Sequence, residues 1–597
     1  MIKFISFFAT YNGSKDLILS PLVMRFNFLL YTLLVFTQAK SQIIKTPFEK
    51  GKGNTTTTYQ ECISFYQQLA TQFNTVRVLT FDTTDAGYPL HLVLYNSAAD
   101  FRIEKPLTRN KLVILINNGI HPGEPDGIDA SMMLVRDLAA RVIALRKNIT
   151  IAVIPIYNIG GALQRNSYSR VSQNGPESFG FRGNAQNLDL NRDFIKNDSK
   201  DAQVFTQLFH WLEPDIFIDN HVSDGADYQH TFTLLTTQHN KLQEPLGGYL
   251  HDVFEPTLYK GMKNEGWDIC PYVNFEEALP GNGWTCFFDP PRYSSGYAAL
   301  FSTIALVPET HMLKPFSQRV ESNYDFMKVV LSTAEENTAD IIKFRQSALF
   351  ATTHEKTFLY EWKTDSSRFD RIAFRGYDTG SVMSNITGRL RLYYSHDRPF
   401  ENEVIFYNYK RATRFAKKPS VFFIPAGWHE ITDRLRRNGV QIKRLLNDTT
   451  IYCHYYKIDS YKTFNYAFEK HYRHYQVQYH SEQDSIRLNK GDFYFYTGQV
   501  SDRYVMEVLE PGADDSFFSW NFFDAILQPK EGYSDYRWED VGGDWLLTQK
   551  DLLNQLALKK ATDSSFEKNA DAQLYYVYQQ SPWFDKGYLR QPVFFQY

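Results

Sequence analysis

The sequence predicts an α/β protein, with a mixed or mostly parallel central sheet flanked by helices and a β-rich α+β region behind it. Three observations carry this. Apolar runs such as Lys111–Ile116 (KLVILI) and Ile149–Ile156 are continuous rather than alternating, as in strands buried on both faces. They are interleaved with segments of helical periodicity, the pattern of βα units. After about residue 350 the texture changes to alternating Tyr- and Phe-rich stretches (LRLYYSH, EVIFYNYKR, DFYFYTGQV), which read as the faces of half-buried strands.

The elements follow in order. Thr58–Gln72 is helical. Val76–Phe81 and Leu90–Tyr95 are strands separated by the turn-rich TTDAGYP. The buried strand Lys111–Ile116 precedes the helix Asp126–Ile143, and the strand Ile149–Ile156 follows. Ser199–Leu212 is a helix and Asp215–Ile218 the end of a buried strand. Lys241–Gly261 is helical, Ile304–Val307 a short strand and Phe316–Arg345 one long helix. VFFIPAGWHEITDRLRRNGVQIKRL, further on, reads strand–helix–strand. An α/β domain is therefore expected over 45–345 and a second, β-rich domain over 350–597; 597 residues are too many for one ordinary core.

Residues 24–41, MRFNFLLYTLLVFTQAKS, have a positive start at Arg25, an apolar run and a small-x-small site at Ala39–Ser41 before Gln42. That is the pattern of a secretory signal peptide within residues 1–41, with Met24 as the expected start. The run is too short for a membrane anchor, and no later segment is long and apolar enough for a span. An exported protein, periplasmic or extracellular, with no integral membrane segment is expected. A net charge of −3 gives no footprint for nucleic acid. Aromatic residues at 16% argue against broad disorder. The four cysteines, Cys62, Cys270, Cys286 and Cys453, form no CxxC motif, which argues against a cysteine zinc site; an oxidising compartment would allow a Cys270–Cys286 disulfide.

Chemistry gathers at strand ends. KLVILI runs into NNGIHPGEPDG, which places His121 and Glu124; DIFI runs into DNHVSDG, which hands His221 to a loop; IALV runs into PETHML, which places Glu309 just past the strand. In open α/β sheets ligands bind at the carboxyl ends of strands. His-x-x-Glu with a distant His is a ligand set used by catalytic zinc, with a fourth position for water. A separate carboxylate must then move the proton, and Glu309 is the candidate. There is no HExxH, no G-x-S-x-G and no P-loop lysine motif.

HPGEPDG, NLDLNRDF (187–194) and a late Glu after an apolar strand together resemble the zinc metallocarboxypeptidases of the carboxypeptidase A type. The order HxxE, DLNR, His, Glu is kept over about residues 50–345. The resemblance implies one Zn²⁺ per chain on His121, Glu124 and His221, with Glu309 as general base and then acid. It implies that Asn191 and Arg192 hold the substrate's terminal carboxylate, an arginine fork being suited to that task. The arginine that steadies the oxyanion is Arg182, seven residues before Asp189, with Arg170 as its rival. The mobile tyrosine of that family maps to Tyr293 or Tyr297. The chain departs from the pattern at Gly123, where digestive members carry arginine, at NIGG (158–161), and in the lack of an acidic residue near Ser294–Gly296.

The resemblance implies an exported, bacterial-type zinc metallocarboxypeptidase with a C-terminal extension, acting on peptides, cell-wall peptides included. Two rivals are an N-acyl amino acid deacylase, such as desuccinylases and aspartoacylases, and an inactive peptidase fold serving as a binding module. Intact His121, Glu124, His221, Arg192 and Glu309 speak against the second.

Overall fold

The strands that carry the site belong to one nine-stranded mixed sheet. The computed structural model of the chain describes residues 44–273 and 279–597. The expected signal segment lies outside these. No described helix is long and apolar enough to cross a membrane.

In chain order the strands are β1 (Val76–Thr83), β2 (Pro89–Tyr95), β3 (Leu112–Asn117), β4 (Ile149–Ile154), β5 (Ile216–Asp219), β6 (His221–Ser223), β7 (Phe232–Thr236), β8 (Cys270–Pro271), β9 (Trp284–Thr285) and β10 (Ile304–His311). The sheet order is β1-β2-β4-β3-β5-β10-β7-β8, with β6 also paired to β10. The central pairs β4–β3, β3–β5 and β5–β10 are parallel, whereas β1–β2, β2–β4 and β10–β7 are antiparallel. Every residue of β3 and β4 is buried, as their unbroken apolar sequence requires.

From β3 the chain first goes out to β4 and later returns to the other side as β5. This makes the crevice beyond β3 and β5 a topological switch point, where open α/β sheets bind ligands. Helices α1 (Tyr59–Gln72), α2 (Asp126–Ala139), α3 (Lys200–Leu212), α4 (Phe316–Glu336) and α5 (Thr338–His354) pack around the sheet. Thr58 and Glu61 form a capping box on α1, and Ser199 caps α3. The expected helix Phe316–Arg345 is two helices that meet at Asn337, and Lys241–Gly261 is broken into short turns before Glu255–Asn264. No proline or glycine marks the break at Asn337, whereas Pro245, Gly247 and Gly248 are breaker residues within the second segment.

Arg319 ties these parts together. It is fully buried on α4, its Nε donates to Asp126 at 2.9 Å, and its other nitrogens donate to the carbonyls of Asn174, Gly175, Met312 and Lys314 at 2.9–3.1 Å. A buried guanidinium is tolerated because its donors are used. It fixes the start of α2 against the end of β10.

The remaining chain is β-rich, as expected. β11 (Thr357–Thr364) pairs with β14 (Lys410–Lys417), and β12 (Asp370–Met383) with β13 (Leu390–Tyr407), which also takes up β9. β15 (Val421–Ile424), β16 (Lys443–Arg444), β17 (Thr449–Thr463), β18 (His474–Leu488), β19 (Phe493–Tyr496) and β20 (Arg590–Gln596) make a six-stranded sheet. The helix His429–Arg437 lies between β15 and β16, as the strand–helix–strand reading anticipates. Thr46–Tyr597 forms one compact unit. A single buried cluster includes Leu115 and Phe217 of the first sheet together with Trp520 and Phe595, so packing runs across the change of texture near 345–355. All four cysteines are free and buried, and the Cys286 thiol donates to Gln238 Oε1, so Cys270 and Cys286 do not form the disulfide allowed above.

Trp520 is fully buried in this shared cluster, with its indole N–H on Asp515 Oδ1 at 3.0 Å. Trp520→Ala is expected to lower unfolding stability by about 3–5 kcal/mol, read from the shift in urea midpoint. An unchanged midpoint would show that the C-terminal strands do not share the core.

Candidate active site

Beyond β3 the chain makes a tight turn in which Glu124 N–H donates to the His121 carbonyl at 2.8 Å. That turn is the physical content of the His-x-x-Glu spacing, since it brings both side chains to one side. Helix α2 begins two residues later. Gly119, with φ of +65°, permits the preceding bend, and a Cβ there would meet Ile128 Cδ1 at 3.0 Å.

His221 is not in a loop as expected. It opens β6, a continuation of β5 after one irregular residue, and pairs with Glu309 in parallel register. Glu309 likewise lies within β10 rather than beyond it. The polar residues read as a strand ending, but the backbone stays extended because β6 and β7 both pair with it. Directly paired residues face the same way, so His221 and Glu309 stand side by side about one strand spacing, ~4.8 Å, apart.

His121, Glu124 and His221 are buried, and one ligand atom from each lies within 4.8 Å of the others. His221 Nδ1 lies 3.1 Å from Glu124 Oε2, and His121 Nδ1 lies 3.3 Å from Glu124 Oε1 with no hydrogen-bond partner. Each far nitrogen is held by a carboxylate: His121 Nε2 by Asp189 at 2.9 Å and His221 Nε2 by Asp219 at 3.1 Å. Asn117 Nδ2 steadies Asp219 at 2.9 Å. A carboxylate on the outer nitrogen fixes ring orientation and frees the inner nitrogen to bind a metal. The orphaned Nδ1, the burial and the His₂Glu donor set all fit a zinc ion.

The electrostatics agree with a cation site. Burial works against the charge on Glu124, yet Arg170, His121 and His221 hold its pKa well below the usual carboxylate range. Burial likewise opposes a charged His221, but Asp219, Glu124 and Glu309 outweigh it and push its pKa well above the ordinary value. Glu309 is pushed up to about 8, chiefly by burial; His221 opposes this, while the negative charges of Glu124, Asp224 and Asp219 add to it.

Arg170 and Arg182 both reach Glu124 Oε1, at 2.8 and 3.4 Å. Arg182 also pairs with Asp189 at 2.9 Å and is half exposed, whereas Arg170 is mostly buried. The loop bearing Arg182 lies against NIGG, where a Cβ at Gly161 would sit 2.3 Å from the Phe181 carbonyl oxygen. Asn191 accepts from Ser294 N–H at 3.2 Å, and the Arg192 guanidinium lies 4.2 Å from the Tyr293 ring centroid. Tyr297 is different. It is fully buried among Phe194, Phe209 and Phe301, with its hydroxyl donating to Asn438 at 2.6 Å, so it is a core residue and not a mobile one. Of the two tyrosines only Tyr293 faces the arginine.

Sequence reasoning missed Tyr272. Burial and the nearby charge of Glu309 raise its phenol pKa, and its ring meets Phe287, which in turn meets Tyr293. An aromatic row thus runs from Glu309 towards Arg192. It directly follows the two-residue strand β8, and nothing in the local sequence singles it out beforehand.

A zinc carboxypeptidase family model matches residues 62–228. Over that stretch the chain is similar to the zinc carboxypeptidases. It is by class a peptide-bond hydrolase, and the family depends on zinc. Carboxypeptidase 2 of Trichophyton equinum is 23% identical over 454 residues, covering 72% of this chain and 77% of that protein. The Trichophyton rubrum protein of the same name matches to the same extent. Even with everything before residue 345 included, a 72% share continues into the C-terminal part. Among solved structures, the metallo-carboxypeptidase of Burkholderia cenocepacia has a TM-score of 0.36 at 16% identity, covering 47% of this chain and 70% of that one. Carboxypeptidase A of Helicoverpa armigera has a TM-score of 0.37 at 14% identity, covering 53% and 81%.

Gly123 explains one departure from the digestive pattern. A Cβ at this position would lie 2.6 Å from Arg170 Cδ, so the space that a side chain would need is filled by Arg170. Gly123→Ala is expected to push Arg170 off Glu124 and to lower kcat/KM by about tenfold to a hundredfold. Activity equal to that of wild type would show that Arg170 does not support the site.

Proposed function

We propose that this protein is an exported metallocarboxypeptidase that binds one zinc ion through His121, Glu124 and His221. It hydrolyses the amide bond next to a free terminal carboxylate. In this reading residues 45–345 perform the chemistry and 350–597 brace it. The single observation that supports it best is the buried His₂Glu cluster, with both outer nitrogens held by carboxylates and Glu309 one strand away. The segment 24–41 supports export.

A zinc ion, when bound, supplies a Lewis acid for the scissile carbonyl and for a water molecule. Glu309 takes the proton of the attacking water on a carboxylate oxygen and returns it to the leaving nitrogen. Its partial burial and its negative neighbours favour a proton-accepting carboxylate of raised basicity. Arg182, half exposed above Glu124, meets the oxyanion as charge develops there. Asn191 and Arg192 hold the terminal carboxylate, and Tyr293 lies against the guanidinium. Peptides, cell-wall peptides included, are the substrate class.

Purified protein is expected to hold one zinc per chain, to lose activity to a chelator and to regain it with added zinc. Glu309→Gln should keep the metal and lose at least about a hundredfold in kcat. Release of amino acids from blocked dipeptides with free C-termini, but not from their C-terminal amides, would support the reading. Turnover of N-acyl amino acids alone, or none, would reject it.

Arg192→Ala is expected to raise KM for a blocked dipeptide by about tenfold or more, the loss of a charge-assisted hydrogen bond being about 1.5–3 kcal/mol. Steady-state kinetics on the same substrate checks this, and an unchanged KM would move the carboxylate site elsewhere.

A further inference from the structure

The turn that holds DLNR is gripped by a part of the chain 280 positions later. The hairpin of β17 and β18 ends in residues 464–473. At its tip Phe468 and His471 exchange backbone hydrogen bonds of 2.8 and 3.0 Å, so Glu469 and Lys470 are the two central residues of a tight turn. Both have positive φ, 49° and 73°. Two positive φ values mark the type I′ hairpin turn, which favours Asn-Gly or Gly-Gly because a Cβ is strained there. Neither residue here is glycine. Residues held in such a conformation are strained and persist only where surrounding contacts over-determine them.

The contacts that hold this tip lead to the active site. Glu469 Oε2 accepts the backbone N–H of Asp189 at 2.9 Å. His471 pairs with Asp198 at 2.7 Å, and the Phe468 ring stacks on Trp520. From the helix His429–Arg437, Arg434 donates to the Lys196 carbonyl at 2.8 Å and Arg437 to Asn197 Oδ1 at 2.6 Å. Residues 189–198 are therefore fixed at both ends by the C-terminal region. Asp189 is the pivot. Its carboxylate receives His121 Nε2 at 2.9 Å, Asn191 N–H at 2.9 Å and the Arg182 guanidinium at 2.9 Å, and Arg192 follows three residues on.

We propose that Glu469 is a positioning residue of the active site: by holding the Asp189 backbone it fixes the orientation of His121 and the placement of Asn191 and Arg192. The proposal rests on the metallocarboxypeptidase reading above and deepens it. Glu469 bonds to the backbone of Asp189 and acts through it, so it is not a catalytic residue. It makes residues 350–597 part of the active-site architecture.

The test uses the full chain with Glu469→Ala and Glu469→Gln, and three readouts: the zinc dissociation constant by competition with a chromophoric chelator, KM and kcat on a blocked dipeptide, and Tm. Loss of a group that orients a ligand typically costs tenfold or more in metal affinity, so Glu469→Ala should weaken zinc about tenfold and raise KM by a similar factor. Glu469→Gln keeps an oxygen that can accept the Asp189 N–H, so it should stay within about threefold of wild type in both. An alanine variant equal to wild type in zinc affinity and KM would overturn the proposal. So would equal losses in both variants alongside an equal fall in Tm, since that pattern marks general packing. Wild-type protein that binds zinc but releases no C-terminal residue would reject the peptidase reading, and the zinc comparison between the two variants would still decide this one.

Discussion

The constraint on which the site depends is the burial of Glu124. Its carboxylate is only 3% exposed at the end of a sheet, where an uncompensated negative charge costs several kcal/mol. The structure surrounds it with two imidazoles and two guanidinium groups. Those groups are anchored in turn. Asp189 and Asp219 hold the imidazoles, and Asn117 on β3 holds Asp219. The inner Nδ1 of His121 is left without a hydrogen-bond partner, and with Glu124 and His221 it makes a donor set suited to a divalent cation.

This dependence explains why the fold has the shape it does. The switch in strand order around β3 places the HxxE turn and β6 on opposite sides of one crevice. β10 brings Glu309 beside His221 because the two strands are in register. Arg319 locks α2, which follows the HxxE turn, to the end of β10. The C-terminal strands complete the same core and grip the DLNR segment, so the change of texture near residue 350 is not a break in packing.

Much of this was legible in the sequence because it obeys local rules. Buried strands such as β3 and β4 show as unbroken apolar runs, and the strand-end residues His121, Glu124 and His221 stand out against them. What was not legible depends on tertiary pairing. Whether His221 and Glu309 sit in loops or strands is decided by β6 and β7 lying against β10, which no local pattern records. Tyr293 and Tyr297 are four residues apart and equivalent by motif, yet one lies under Arg192 and the other is buried among aromatic rings. The break at Asn337 leaves the helical period intact on both sides. Arg170 is named beforehand only as a rival to Arg182; that it fills the space beside Gly123 and reaches Glu124 is a tertiary contact.

The measurement that bears most directly on this account is X-ray absorption at the zinc edge of the purified protein. Two imidazole nitrogens and carboxylate or water oxygens at about 2.0–2.2 Å are expected, in a shell of four or five ligands. A sulfur scatterer at about 2.3 Å, or a shell without imidazole, would contradict the assignment of His121, Glu124 and His221 as the metal site.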